Sequence, residues 1–136
     1  MVELFYFCKM ERLIQEDYLD DNWKMLVSCI LLNQTTNQQV RKVLPDLFSL
    51  ISNPETAIKI SPYLIQSVIR STGFSKIKTE RIVAMSRKWL EGFKEVQELP
   101  GIGRYASDSW KIFVEKNYNL EVTDKKLKLY LEEHNS

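Results

Sequence analysis

Along most of the chain apolar residues return every three or four positions, and no stretch alternates apolar with polar residues long enough to make a half-buried strand. That pattern predicts helices throughout, and start and stop signals divide it. Asp21 or Asn22 caps a helix through WKMLVSCILL. Thr36 caps NQQVRKVLPDLFSLI, in which Pro45 is expected to introduce a kink. Asn53-Pro54 and Ser61-Pro62 each pair an N-cap with proline at the first helical position. Gly73 ends the second of these helices, Ser75 opens SKIKTERIVAMSRKWLE, and Gly92 closes it. A short helix through FKEVQEL, a Gly-Ile-Gly turn, a helix from Arg104 to about Lys116 and a last helix capped by Thr123, DKKLKLYLEE, complete the series. No linker, repeat or low-complexity segment interrupts it. A single all-α domain over 1–136 follows.

Composition changes this picture little. A hydrophobic fraction of 44% and a charged fraction of 27% over 136 residues suit a globular domain with a real core. No apolar run is long enough to cross a bilayer, so no membrane partner is expected. MVELFYFCKM lacks the basic region and cleavage site of a signal peptide, and an intracellular protein is expected. Cys8 and Cys29 lie in apolar surroundings and read as buried thiols; two cysteines cannot ligate a four-cysteine iron–sulfur cluster.

Charge is more informative in its distribution than in its sum of +1. Up to Asp21 the chain carries Glu3, Glu11, Glu16, Asp17, Asp20 and Asp21 against Lys9 and Arg12. Later come Arg70, Lys76, Lys78, Arg81, Arg87 and Lys88, then Arg104, Lys111, Lys116, Lys125, Lys126 and Lys128. These clusters suit either a solvated helix surface or a basic face for an anionic partner.

Two of the 4 glycines fall one residue apart in ELPGIGRYASDSW. Pro100 fixes φ, Gly101 and Gly103 permit a tight turn between two helices, and Ile102 is expected to pack inward. The segment about 93–116 is thus a helix–hairpin–helix candidate. Glycines there expose backbone N–H groups at the positive end of the following helix, a seat for one phosphate. A plain helix–helix connection without a ligand fits the same residues. Phosphate contacts would imply nucleic acid without saying which reaction.

Beyond the turn, the chain resembles the helix–hairpin–helix DNA glycosylase superfamily, which includes endonuclease III. It is most similar to the mismatch-specific glycosylase domains of the methyl-CpG-binding type. LIQEDYLDDNWKMLVSCILLNQTTN, STGFSKIKTERIV, LPGIGRYASDSWKIF and TDKKLKLYLEEH keep that family's order and spacing from Leu13 onward. The resemblance implies two helical subdomains with a DNA-binding cleft between them. It also implies a catalytic loop and last helix over about 117–133, and double-stranded DNA bearing a mismatched or damaged pyrimidine as partner of a monomer. In a eukaryote the nucleus is implied, otherwise the nucleoid or cytoplasm. No cofactor is implied beyond a monovalent cation at the hairpin.

By the same resemblance Asp124 matches the catalytic aspartate. Tyr105 stands where the family's glycosylase/lyases carry a Schiff-base lysine and where its mismatch glycosylases carry tyrosine. Gln15, beside Ile14, matches a glutamine that reads the extruded pyrimidine, and Lys126 a lysine next to the aspartate. Gln34 is at the position that fills the hole left by the flipped base, where the nearest relatives have arginine. Phe74 corresponds to the wedge at the opposite base, commonly leucine. Gly101, Ile102, Gly103, Arg104 and Lys125 fall to the phosphates. The implied activity is removal of thymine or uracil opposite guanine by hydrolysis. Another lesion, either adenine opposite oxidised guanine or an oxidised pyrimidine, is an alternative within the fold. A non-catalytic DNA-binding module is the alternative outside enzymology.

The chemistry of these residues agrees with that assignment. A carboxylate beneath a deoxyribose can stabilise positive charge on the sugar and orient or deprotonate a water. A phenol at position 105 cannot form a Schiff base, so the lyase step is expected to be missing. Asp124 as a helix cap, Gln34 as a helix-end polar group and Phe74 as core are the plainer readings of those residues. Trp23, Trp89 and Trp110 read as helix-face core, and His134, near a terminus expected to fray, receives no role.

Overall fold

The computed structural model describes residues 12–136; Glu3, Cys8, Lys9 and Glu11 lie outside the described residues. Among those described there are seven α-helices and no strand. They are α1 (Asn22–Leu31), α2 (Asn37–Leu50), α3 (Pro54–Lys59), α4 (Pro62–Ile69), α5 (Ser75–Glu91), α6 (Arg104–Phe113) and α7 (Lys125–Asn135). Short 3-10 turns at Ile14–Tyr18, Arg70–Thr72 and Val96–Glu98 link or flank them.

Local chemistry accounts for most boundaries. Asp21 accepts from the Lys24 amide, Thr36 from Gln39 and Asn53 from Thr56, each satisfying an orphan donor at a helix start. Ser61 stands at the expected cap of α4, but Pro62 alone sets the entry, since no side chain bonds there. Gly92 closes α5 with φ +101, a conformation glycine adopts without penalty.

α2 spans Asn37 to Leu50 and contains Pro45, which is exposed, so the carbonyl one turn back that loses its donor lies on the same outward face. Elsewhere the local rules gave way. FKEVQEL makes only the 3-10 turn Val96–Glu98. There the Glu98 carboxylate accepts from the Lys94 and Glu95 amides and closes the loop upon itself. α6 ends at Phe113 rather than near Lys116, whose φ of +60 turns the chain away. α5 opens at Ser75 as expected, and Phe74 precedes it in a left-handed conformation without a side-chain cap bond. Asp124, not Thr123, caps α7, because it directly precedes the first helical residue, Lys125, with extended backbone, and its carboxylate accepts from the Lys126 and Leu127 amides. His134 is not frayed: its ring stacks on Tyr118 with centroids 3.8 Å apart.

Two helical groups share the core. α2, α3, α4 and α5 pack together; the Ile14–Tyr18 turn, the loop before α6 and α6 itself form the second group, and α1 packs on both. Eight of its ten residues are buried, including Trp23, whose indole N–H donates to Ser86 of α5 at 3.0 Å. Trp89, Phe93 and Trp110 form an edge-to-face cluster against the core. Lys78 departs from both surface readings of the basic clusters. It is buried, 1% exposed, while Lys76 and Arg87 on the same helix are exposed.

Candidate active site

The hairpin turn uses its two glycines for different purposes. Gly101 has φ +79, and a Cβ built there would lie 2.9 Å from the Arg81 Cβ, so both backbone conformation and packing demand glycine. Gly103 has an ordinary φ of −88, and a Cβ there would meet nothing within 4 Å. Nothing among the described residues requires it. It is the N-cap of α6 and offers no side chain to the first-turn amides, which therefore open outward at the positive end of the helix. Leu99 is buried, and Ile102 packs against the core as expected, pinning the turn. Exposed Arg104 forms an ion pair at 3.5 Å with Asp108, one turn on.

This turn forms one wall of a cleft of about 1100 Å³. The α1–α2 loop from Leu32 to Asn37, with Gln34, lines it as well, and so does Arg81 of α5, whose stem packs against Gly101. Tyr105, Cys29, Asp124, Lys125 and Lys126 are also part of the lining. Sequence-distant residues are thus brought together: the hairpin, the phenol, the aspartate and both lysines share one cavity.

Asp124 is half-buried and has divided its carboxylate. Oδ2 accepts from the amides of Lys126 at 3.1 Å and Leu127 at 3.0 Å, and Oδ1 has no hydrogen-bond partner among the described residues. One oxygen anchors the group; the other is available to a substrate or water. Tyr105 is held from behind, its hydroxyl accepting from Gln15 Nε2 at 2.7 Å. Burial pushes its phenol well above the usual tyrosine range, with Cys29 and Asp124 adding in the same direction. It therefore remains a neutral O–H donor.

Gln15 is 1% exposed and, like Ile14, does not line the cleft. It sits one hydrogen bond behind the wall, where Nε2 also donates to Ser109 at 3.0 Å and Oε1 has no partner among the described residues. Cys29 is buried as expected, yet faces the cavity, its thiol pushed up to about 12 by burial. Ser109, Cys29 and Arg81 were not singled out by sequence as site residues. Ser109 carried a signal, four residues from Tyr105 and so on its helix face. Arg81 carried none, because only the tertiary fold sets it against Gly101.

The two expected intercalating residues are both exposed and both left-handed. Gln34 has φ +58, and Phe74, 60% exposed, has φ +50. Neither is glycine, and for a bulky residue this backbone is a strained exception found mostly where function holds it. Phe74 is therefore not core. Lys111 is not among the residues lining the cleft.

Comparison with known proteins supplies the context. The profile described as "HhH-GPD superfamily base excision DNA repair protein" matches residues 27–134. A methyl-CpG-binding domain protein 4-like protein of Arabidopsis thaliana is 38% identical over 108 residues, covering 79% of this chain and 24% of that protein. Endonuclease III of Thermotoga maritima is 29% identical over 92 residues, covering 62% and 43%. The chain thus spans a quarter to under half the length of these relatives. Among solved structures, a thermostable thymine-DNA glycosylase is similar at a TM-score of 0.64 and 22% identity, covering 71% of this chain and 48% of that one. A non-covalent endonuclease III–DNA complex is similar at 0.62 and 20% identity, covering 94% and 66%.

Proposed function

The chain belongs to the HhH-GPD superfamily of base excision DNA repair proteins, and from that premise we propose that it is a monofunctional DNA glycosylase removing thymine or uracil mispaired with guanine. The observation that carries the proposal is a phenol, Tyr105, where a lyase would need an amine, in one cleft with an aspartate that keeps one oxygen free.

In this reading the phosphates beside the lesion rest on the amides opening α6 and on Arg104 and Lys125, which position the strand without reading sequence. Phe74 wedges at the opposite base and Gln34 enters the stack as the target nucleotide turns into the cleft, offsetting part of the few kcal/mol of unstacking. The C1′–N1 bond then breaks, its electron pair leaving with the pyrimidine as an N1 anion and positive charge developing on the sugar. Asp124 Oδ1 faces that charge, orients a water toward C1′ and takes its proton as the new C–O bond forms. The products are the free base, once protonated, and an abasic sugar. Tyr105 stays neutral and donates toward a pyrimidine oxygen. Gln15, through its bond to Tyr105, sets where that donor sits. A carboxylate and a water suffice for this step, so we propose no metal or redox cofactor for it.

The test is single-turnover base release from G·T, G·U and G·5-hydroxymethyluracil duplexes. Strand breaks are expected only after hot alkali. Breaks without alkali, or an adduct trapped by borohydride, would overturn the assignment of Tyr105. No release from any duplex would leave a DNA-binding module.

A further inference from the structure

Lys78 is a buried cation with no carboxylate within ion-pair distance among the described residues, an arrangement that needs a reason. Its Nζ donates to two backbone carbonyls, Leu31 O and Thr72 O, each at 2.8 Å. These carbonyls come from different parts of the chain. Leu31 is the last residue of α1, and Gln34 follows three positions later in the loop that α1 feeds. Thr72 ends the 3-10 turn before Gly73, and Phe74 follows two positions later. A third tie is the Lys78 backbone amide, which donates to the Phe74 carbonyl at 2.9 Å.

We propose that Lys78 is a positioning residue that fixes the Gln34 loop and the Phe74 loop relative to each other, so that the two exposed tips enter DNA as one unit. The proposal rests on the DNA-reading role given to those tips above. A methionine of similar length would fill the same volume without burying a charge, but it would leave both carbonyls without a donor and the two loops without a common anchor. Burial lowers the lysine to about 8, so the site carries a cost that packing alone would not retain. The two left-handed tips add to the need for an anchor. Strained backbone persists only where its surroundings hold it, and Lys78 grips the chain close before each one.

The experiment compares the full chain with Lys78→Met and Lys78→Arg, the latter keeping donors for both carbonyls. Amide hydrogen exchange is expected to quicken in residues 33–36 and 72–75 together, on the order of tenfold, in Lys78→Met. α2 and α6 should stay at wild-type protection, and Lys78→Arg should restore much of the loop protection. Unchanged exchange in either loop overturns the coupling, and an equal rise across the whole chain makes Lys78 a stability residue only. If Lys78→Met does not fold, Lys78→Gln, which can serve only part of the two carbonyls, takes its place: faster exchange in both loops together supports the anchor, and a rise in one alone or in neither overturns it.

A second readout joins this to DNA. 2-Aminopurine placed beside a G·T mismatch brightens when the stack is opened. Lys78→Met should bind an undamaged duplex as wild type does and lose most of that brightening. Combined with Phe74→Ala, its effect should be less than additive, because the anchor no longer has a wedge to hold. Additive effects overturn the proposal. Absence of brightening in wild type on every duplex would instead overturn the functional reading, and exchange would still decide the anchor.

Discussion

Asp124 shows how one residue can hold a structural and a chemical task without conflict. Its Oδ2 is committed to the amides of Lys126 and Leu127, which caps α7 and leaves Oδ1 without a partner among the described residues on a side chain that lines the cleft. Asparagine keeps a cap acceptor and removes the charge. Asp124→Asn should therefore melt within about 1 °C of wild type and lose base release by at least ~10²–10³-fold, measured in single turnover. Asp124→Ala removes the cap as well and should cost about 1 kcal/mol in urea unfolding besides. Buried titrating groups give a further residue-scale prediction. Lys78 titrates near 8 in the folded chain against an ordinary 10.5, so between those values the unfolded chain binds more protons and stability rises with pH. Below 8 the lysine is charged in both states and its burial cost is fully present. Cys29 acts in the opposite sense, near 12 folded against an ordinary 9.0, so stability falls from pH 9 upward. Urea midpoints should climb by the equivalent of roughly 0.5–1 kcal/mol between pH 8 and 9, stay nearly level to about pH 10 while the two effects cancel, and decline above it. Lys78→Met should lose the climb, and Cys29→Ala should postpone the decline.

At the scale of elements, the hairpin separates what the fold needs from what a ligand needs. Gly101 sits at φ +79 against Arg81, so Gly101→Ala should cost roughly 1–3 kcal/mol of stability and displace Arg81 from the cleft. Gly103→Ala meets neither strain nor contact and should fold with stability within about 0.5 kcal/mol of wild type. Its methyl group would stand at the opening of α6, and duplex affinity should fall at constant stability. If affinity is unchanged, the amides of α6 do not hold a phosphate. These elements also mark how far local reading reaches. Caps such as Asp21, Thr36 and Asn53 were legible because the bond they make lies three residues away. The cap of α7 was misread between neighbours, Thr123 and Asp124, where either side chain is a plausible acceptor and only the backbone decides. FKEVQEL was misread because a carboxylate from within the segment competes for the amides a helix would use.

Across the whole molecule, the path from sequence to site stops where contacts become long-range. The cleft's phenol, aspartate and hairpin were recognisable from family order and spacing. Gln15 was recognisable too, but that it stands behind Tyr105, ninety positions away in the chain, is a tertiary fact. Lys78 was grouped with cations of a solvated or basic surface because a lysine among lysines gives no sign of burial. Its removal from that surface sharpens where the useful charge lies. The chain as a whole carries +1, yet the residues lining the cleft hold Arg81, Arg104, Lys125 and Lys126 against Asp124 alone. The cleft lining thus carries four cations to one acid, a net +3, which leaves the rest of the chain at −2, so net positive charge is concentrated where a phosphate backbone would run. If each of these four cations neutralises one phosphate, log Kobs should fall with log salt at a slope of about −3 to −4. Neutralising Arg81, Lys125 or Lys126 singly to glutamine should reduce the slope by about 0.9, whereas Lys59→Gln, outside the cleft, should leave it unchanged. A slope that responds equally to Lys59 would mean that DNA is held by the general surface, and the cleft would lose its claim to be the nucleic-acid interface.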